Sequence, residues 1–254
     1  MWLNIYQNIC QILNIKKCEK SRDDWPFFEE DQEALTIKYE NIRIISILGA
    51  TNYITPYLIQ EFLEIPNLGK SQGIIFRLYD NLGQNEQKYK IMEDVANFCN
   101  SLNSYGKRDI VDIVTFEKEA IDGCDLVIHI EDFRQRPEED ENLWLERCFA
   151  RMNYLADLIN SCMNRKLRII LNNHGPICFL ATCLVEFCTT ISPSNIIAIT
   201  SSEGLSYINV VSEKTGVPVS RITAPAVWGF VGLNLFVDVR NIVFKADVYR
   251  PNQR

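Results

Sequence analysis

Two side chains with useful chemistry follow short apolar runs, at the places where strands of a parallel sheet would end. Asp80 comes directly after the run 74–79, and His174 follows the run 167–171. Ligands of open α/β sheets bind outside the carboxyl ends of the strands, so both side chains could contact one. Asp80 could accept a hydrogen bond from a ribose hydroxyl, or simply end its strand in solvent. His174 could exchange protons near neutral pH, or be a loop histidine with ordinary hydrogen bonds.

The nine cysteines and two histidines do not form a metal-binding pattern. No two cysteines are spaced as CxxC, and the histidines lie far from any paired cysteines, so no metal site is expected. Several cysteines fall in apolar periodic runs, where Cys packs as a small hydrophobic side chain. We therefore expect reduced, buried thiols. His129 lies inside an apolar run and is expected to be a hydrogen-bonded core residue.

Alternating apolar periodicities predict the elements that position these side chains. Short β-branched runs predict strands, and stretches with apolar residues three to four apart predict helices. Strands are expected at 42–48, 74–79, 111–115, 125–130, 167–171 and 196–200, and helices at 54–63, 86–103, 116–123, 141–163 and 176–188. This alternation predicts an α/β fold of Rossmann type, a parallel sheet with helices on both faces and the strand order 3-2-1-4-5-6.

Length and charge exclude some classes of function. The chain has 254 residues, 47% of them hydrophobic, which allows one domain and part of a second. Its net charge of −7 offers no basic face for phosphates, so nucleic-acid binding is not expected. No apolar stretch reaches the ~18 residues of a membrane span. The N-terminus also lacks the charge order of a signal peptide, and we expect no membrane association and a cytoplasmic location.

Five stretches of the chain follow the order of segments in one protein family. They are IRIISILGATNYITPYLI, KYKIMEDVANF, VDIVTFEKEAIDGCDLVIHI, RIILNN and GVPVSRITAPAVWG. Over about residues 42–250, they resemble the lactate/malate dehydrogenase family, in particular its cytosolic malate dehydrogenase type and the divergent 1B branch. The resemblance implies an NAD-binding Rossmann domain at 42–200 and the truncated start of an α/β catalytic domain at 201–254. Residues 1–41 would be a helical, acidic extension, and the chain a fragment or a shortened product.

The resemblance also implies a cofactor, NAD, and four residues that would bind it. Gly49 matches the first glycine of the family's Gly-Ala-Ala-Gly turn, which brings the backbone to the pyrophosphate at a helix N-terminus. Asn52 replaces the last glycine, and its side chain projects into the phosphate site, so weak NAD binding is expected. Asp80 matches the ribose-binding acid, and Asn173 matches an asparagine that contacts the cofactor. We expect all four residues to line one crevice.

The family's catalytic positions are mostly substituted in this chain. Its proton-accepting histidine falls on Val231, which cannot carry a proton, and the aspartate that orients it falls near Glu203. An arginine that clamps a substrate carboxylate falls on Ser206, and the substrate-orienting asparagine falls on Pro176. His174 is the one obvious alternative base.

The family's mobile-loop arginines would lie in EDFRQRPEEDENLW. Arg134 and Arg136 are matches for the first substrate arginine, whereas the second falls close to Glu141, in an acidic run that would repel a dicarboxylate. The loop could equally be a solvated connection. These substitutions favour a malate dehydrogenase-like protein that is catalytically degenerate. The alternatives are an active NAD-dependent malate or 2-hydroxy-acid dehydrogenase with an altered site, and an interaction or structural module that binds a protein partner or a second copy.

Overall fold

The computed structural model describes residues 44–65, 73–81, 86–102, 110–162, 164–200, 202–231, 234–240 and 242. The extension predicted at 1–41 lies outside these residues, as do the first two residues of the strand predicted at 42–48. The described strands are β1 (Ile44–Leu48), β2 (Ile75–Tyr79), β3 (Val111–Ile113), β4 (Leu126–His129), β5 (Arg168–Leu171), β6 (Ile196–Ala198), β7 (Ala226–Phe230) and β8 (Asn234–Asp238). The described α-helices are α1 (Thr55–Leu63), α2 (Glu86–Leu102), α3 (Glu117–Ile121), α4 (Glu141–Ser161), α5 (Ile177–Phe187) and α6 (Ser202–Thr215).

Six strands form one parallel sheet in the order β3-β2-β1-β4-β5-β6, which confirms the predicted order. The first strand lies at the centre, and Ile45 pairs with Phe76 on one side and with Leu126 on the other. Parallel neighbours cannot be joined by tight turns, so helical crossovers connect them. The strand order reverses between β1 and β4, and in such sheets the crevice at the carboxyl ends of these strands is where ligands bind.

Alternate residues of the strands pack in two apolar cores, one on each face of the sheet. Ile45 and Ile47 of β1 pack in a cluster with residues of α1 and α2, whereas Leu48 packs in a cluster with residues of α3, α4 and α5. The period of two residues follows from the pleat of a strand. Because both faces are covered, the strands read as nearly continuous apolar runs. The predicted Rossmann-type arrangement of helices on both faces is therefore confirmed.

Two strands end two residues earlier than predicted. The strands expected at 111–115 and 196–200 end at Ile113 and Ala198. Hydrogen bonding to the neighbouring strand continues for one more residue in each case. The N–H groups of Val114 and Ile199 still donate to the neighbouring strands, at 3.0 and 2.8 Å. The polar threonines at the ends of both predicted runs lie in the loops that follow.

After the sheet, the chain forms α6 and an antiparallel pair of strands, β7 and β8. This is the part of the chain in which the start of a catalytic domain was predicted. Trp228 lies opposite Phe236 on the hairpin, and both side chains are exposed, whereas Val237 is buried. Among the residues that the structure describes, no helix is long and apolar enough to cross a membrane.

Candidate functional site

The turn after β1 lies in close contact with the end of β4. Gly49 has a φ of 84°, a backbone conformation that glycine adopts without the strain of a side chain. A Cβ atom at Gly49 would lie 2.7 Å from the backbone nitrogen of Glu131, so a side chain would also have no room. The N–H groups of Gly49 and Ala50 both donate to the carbonyl oxygen of Tyr79, at 2.9 and 3.0 Å. The turn thus joins the carboxyl ends of β1, β2 and β4.

Asp80, the candidate ribose acid, lies beside this turn and is 8% exposed. Its Oδ2 accepts two hydrogen bonds from Thr51, one from the hydroxyl at 2.5 Å and one from the backbone N–H at 3.1 Å. Its Oδ1 accepts a hydrogen bond from the Lys88 ammonium group at 2.9 Å. Both carboxylate oxygens therefore have partners within the chain.

Asn52 occupies the N-terminus of α1 with its own side chain. Its Oδ1 accepts a hydrogen bond from the N–H of Ile54, and its Nδ2 donates to the carbonyl oxygen of Ile130, both at 3.2 Å. The N–H of Thr55 donates to the Asn52 carbonyl oxygen at 3.0 Å, and Pro56 has no N–H to donate. A helix N-terminus binds anions through unused N–H groups. The opening turn of α1 offers few of them.

The hydrogen-bonding groups of this site can be compared with those that a dinucleotide needs. Gly49 and Asp80 stand where a pyrophosphate and a ribose would be bound, and the buried Thr55 hydroxyl is without a hydrogen-bond partner among the described residues. Against this, the acid already accepts three hydrogen bonds from Thr51 and Lys88, and the Asn52 side chain accepts the hydrogen bond of an N–H group at the helix N-terminus. As folded, these residues do not fit the ribose and phosphates of NAD.

A largely buried charge cluster lies next to the turn, in which Glu117 is buried and Arg151 and Glu131 are partly exposed. The Arg151 guanidinium makes a bidentate pair with Glu131, at 3.0 and 2.5 Å, and a second with Glu117, at 3.1 and 2.6 Å. Glu117 belongs to α3, Arg151 to α4, and Glu131 to the segment after β4. Two carboxylates therefore share one cation, and planar forks of this kind are the strong form of charge pairing.

The charges of this cluster respond to burial in different ways. Burial raises the pKa of Glu117 above its usual value, although Arg151 opposes the shift. For Glu131 burial acts in the same direction, but the interactions with its neighbours, Arg151 among them, outweigh it and leave the pKa lowered. Burial, followed by the charge of Glu117, raises the pKa of Tyr79 to about 12. Tyr79 therefore stays protonated, and Glu131 stays ionised.

His129 is fully buried at the end of β4, as predicted, but the structure corrects the expectation that its hydrogen bonds are satisfied. Its Nδ1 lies 2.9 Å from the Asn173 Nδ2, which also donates to the Glu131 carbonyl oxygen at 2.8 Å. The amide nitrogen can only donate, so His129 accepts at Nδ1 and carries its proton on Nε2. Nε2 has no hydrogen-bond partner in the described part of the chain and lies 3.6 Å from Glu131 Oε1. Burial lowers the pKa of His129, so the ring is neutral.

The structure thus brings the four residues expected to bind the cofactor around the switch point of the sheet. Gly49 and Asn173 both approach Glu131, and Asn52 contacts the carbonyl oxygen of the residue before it. Asp80 adjoins the Gly49 turn through Thr51. The assignment of these residues to a cofactor remains a prediction.

The arginines of this loop, and Arg147 of α4 beside it, are paired with carboxylates. Arg134 binds both oxygens of Asp132, and this hydrogen bonding lowers the pKa of Asp132. Arg147 pairs with Glu139 and lowers the pKa of that carboxyl to about 2. Arg136 lies 3.9 Å from the same Glu139 carboxylate. The three arginines line a shallow pocket of about 370 Å³, but each faces a carboxylate.

His174 lies on the loop after β5 with its side chain exposed, and its backbone carbonyl accepts from the N–H of Phe133 at 2.8 Å. The side chain therefore lies at the ligand-binding edge of the sheet, close to the loop that follows β4. A proton carrier at this place has access to solvent, in contrast to His129.

The positions that match the family's catalytic residues do not form a proton-transfer group. Val231 is 5% exposed and packs in the apolar cluster of α3, α4 and α5. Glu203 lies in the first turn of α6, and the Ser206 hydroxyl donates to its carbonyl oxygen at 3.2 Å. Pro176 comes directly before α5 and can offer no backbone N–H.

The sequence interpretation missed the charge cluster and the role of Thr51. Glu131 ends an apolar run as Asp80 does, and this shared position was the available indication of a second strand-end carboxylate. Arg151 and Glu117 come from other elements, 20 and 14 residues from Glu131, so no local spacing relates the three. Thr51 stands where the resembled turn has alanine, and only the fold shows that its hydroxyl reaches Asp80.

The sequence matches no protein-family model and no curated protein, but its structure is similar to solved dehydrogenases. A malate dehydrogenase from Naegleria fowleri aligns at a TM-score of 0.65 and 19% identity, over 81% of this chain and 61% of that one. A Trichomonas vaginalis lactate dehydrogenase in complex with NADH and oxamate aligns at 0.59 and 13%, over 81% and 60%. A Cryptosporidium parvum lactate dehydrogenase complexed with lactic acid and NAD aligns at 0.60 and 15%, over 80% and 59%.

At these identities, the likeness establishes the class of fold: a Rossmann-type α/β domain of the kind found in lactate and malate dehydrogenases. The chain spans about three fifths of the length of the structures that it matches.

Proposed function

We propose that this chain is a malate dehydrogenase-like protein of the lactate/malate dehydrogenase family whose Rossmann domain no longer supports malate oxidation. It belongs to the cytosolic type and the 1B branch, acts in the cytoplasm, and binds NAD weakly at most. Residues 42–200 form the inherited nucleotide-binding domain, and residues 201–254 form the start of the catalytic domain. The fold and the order of the resembling segments support this assignment.

One observation carries the loss of catalysis. Val231, which matches the family's proton-accepting histidine, is a hydrocarbon side chain buried in an apolar cluster. Oxidation of a hydroxyl group to a carbonyl needs a base to take the hydroxyl proton, and such help typically supplies ~10²–10⁴ in rate. Neither Val231 nor its neighbours Phe230 and Gly232 can accept a proton.

The test is NADH formation from malate by the purified chain, compared with its His174→Ala variant and with an active malate dehydrogenase. We expect the wild type and the variant to share the same residual rate, at least ~10²-fold below that of the active enzyme. Robust turnover that His174→Ala abolishes would make His174 the catalytic base and establish the active dehydrogenase. A His129→Gln variant serves as the matched control, because the buried ring of His129 is closed to solvent.

A second candidate function, an interaction module, is favoured by the β7–β8 hairpin. Trp228, Phe230 and Phe236 are each more than 60% exposed, and exposed aromatic groups of this kind are enriched at protein interfaces. The occupant would be a protein partner or a second copy of the chain. Sedimentation of the wild type and of Trp228→Ser separates the two, because only self-association changes the mass of the purified protein.

A further inference from the structure

We propose that Thr51 and Asn52 close the nucleotide crevice from within, by making the hydrogen bonds that a ribose hydroxyl and a phosphate would otherwise make. The inference rests on the proposed function in one respect, namely that the crevice at the end of β1 is an inherited nucleotide site. It adds which side chains keep a nucleotide out and which part of the nucleotide each of them excludes.

In the first half of the closure, Thr51 occupies the carboxylate of Asp80. A ribose 2′-hydroxyl would donate a hydrogen bond to this acid, and the Thr51 hydroxyl makes the same kind of bond to Oδ2 at 2.5 Å. The Thr51 backbone N–H donates to the same oxygen, and Lys88 takes Oδ1. The acid is 8% exposed, so a sugar must displace Thr51 before it can bind.

In the second half of the closure, Asn52 occupies an N–H group at the N-terminus of α1. The Asn52 amide oxygen accepts the hydrogen bond of the Ile54 N–H, a donor that would otherwise face an anion. The amide nitrogen is anchored on the Ile130 carbonyl oxygen, so the side chain bridges the helix and the end of β4. A phosphate entering this place would meet a carbonyl oxygen instead of an N–H group.

The two halves use different hydrogen-bond partners, although the residues are neighbours in sequence. Thr51 acts on the acid that follows β2, and Asn52 acts on the helix that follows β1. In each half, one polar side-chain group makes the bond that excludes the ligand, the Thr51 hydroxyl or the Asn52 amide, and alanine and glycine lack both groups. Removal of one side chain should therefore restore one part of the nucleotide site and leave the other part closed.

The experiment measures binding of NAD, ADP and 2′-deoxy-ADP by calorimetry to the wild type, Thr51→Ala, Asn52→Gly and the double variant. Thr51→Ala should tighten ADP about tenfold and leave 2′-deoxy-ADP unchanged, because only ADP carries the hydroxyl that replaces Thr51. Asn52→Gly should tighten both ADP and 2′-deoxy-ADP by a similar factor. The double variant should bind NAD about 100-fold more tightly than the wild type.

Two controls keep the result specific. Thr51→Ser retains the hydroxyl and should bind like the wild type, and Thr182→Ala removes an exposed threonine hydroxyl that bonds only within α5. Thermal unfolding checks that each variant is folded. If Asn52→Gly is unfolded, Asn52→Ala removes the same two side-chain bonds and takes its place.

The inference is overturned if Thr51→Ala leaves ADP binding unchanged, or if it tightens ADP and 2′-deoxy-ADP equally. Wild-type protein that binds NAD as tightly as the double variant overturns it as well. Malate turnover is a separate outcome: it would refute the loss of catalysis, whereas the nucleotide series alone decides the closure.

Discussion

At the scale of single residues, His129 is a titratable group held in an apolar position. It is fully buried, accepts one hydrogen bond from Asn173, and keeps its proton on the unpartnered Nε2. Burial disfavours the charged ring, and the nearby Glu131 does not compensate. The folded protein therefore holds this histidine neutral at pH values at which an unfolded chain would protonate it.

This predicts a pH dependence of stability with a definite sign. Below the ordinary histidine pKa of 6.5, the unfolded chain binds a proton that the folded chain refuses, so the free energy of unfolding falls as the pH falls. The stability that depends on a neutral His129 is fully present above pH 6.5. Below that pH, His129 lowers the free energy of unfolding by up to about 1.4 kcal/mol per pH unit. Urea unfolding of wild type and His129→Gln between pH 7.5 and about 5.5 measures the difference.

The other histidine provides the control. His174 is exposed, so His174→Gln should keep the wild-type slope, and the slope should flatten only in His129→Gln. Glu117, whose pKa is raised by burial, would stabilise the fold as the pH falls, and it cancels in the comparison because all variants carry it. Equal slopes in wild type and His129→Gln would contradict the prediction.

At the scale of elements, Arg151 ties α4 to α3 and to the end of β4 through its two carboxylate pairs. Replacement by methionine keeps the bulk of the side chain but leaves Glu117 and Glu131 in the interior without their cation. Breaking a buried pair in this way typically costs about 3–5 kcal/mol. We expect Arg151→Met to lower the free energy of unfolding by that amount in urea unfolding.

A surface pair offers the matched control for this prediction. Arg134 is 73% exposed and pairs with Asp132 in the same loop, and exposed pairs contribute about 0–1 kcal/mol. Arg134→Met should therefore change stability little. Adding Glu117→Gln to Arg151→Met should recover part of the loss, because it removes one of the two stranded charges. A loss in Arg151→Met no larger than that in Arg134→Met would refute the role of the cluster.

Elements are also the level at which the sequence was most informative. The stretch 141–163 predicts α4 because its helical period repeats over many residues, and the short apolar run 125–130 predicts β4 because it lies between two helical stretches. The ends of the strands were less predictable. β3 and β6 end early because hydrogen bonding to the neighbouring strand, rather than the β-propensity of the residues, decides where a short strand ends. The contacts of Thr51 with Asp80 and of Arg151 with Glu117 join residues 29 and 34 positions apart, which no local pattern encodes.

At the scale of the whole molecule, the two apolar cores hold most of the described thiols. Cys99, Cys124, Cys148, Cys162, Cys183 and Cys188 are buried, and Cys178 alone among the described cysteines is partly exposed. Burial raises the pKa of Cys148 to about 11 and that of Cys124 to about 12. Because the thiolate is the reactive form, these groups should be inert in the folded protein.

The prediction is that Cys178 contributes a fast-reacting thiol in the folded chain. Titration with an aromatic disulfide reagent near pH 8 should show one equivalent less of fast reaction in Cys178→Ser than in the wild type. Cys148→Ala, which removes a buried thiol from α4, should leave the fast phase unchanged. A fast phase of the same size in Cys178→Ser and in the wild type would contradict the assignment.

The central place of β1 in the sheet has a consequence for how the chain is made. Its partner on one side, β4, begins about 80 residues later in the chain, since the contact between Ile44 and Asp125 spans 81 residues. At a synthesis rate of ~5–20 residues per second, β1 waits roughly 4–16 s on the ribosome for that neighbour. During this interval the β1–β2 pair exposes an apolar edge to the cell, and a chaperone that covers sheet edges would be needed at this stage more than at any later one.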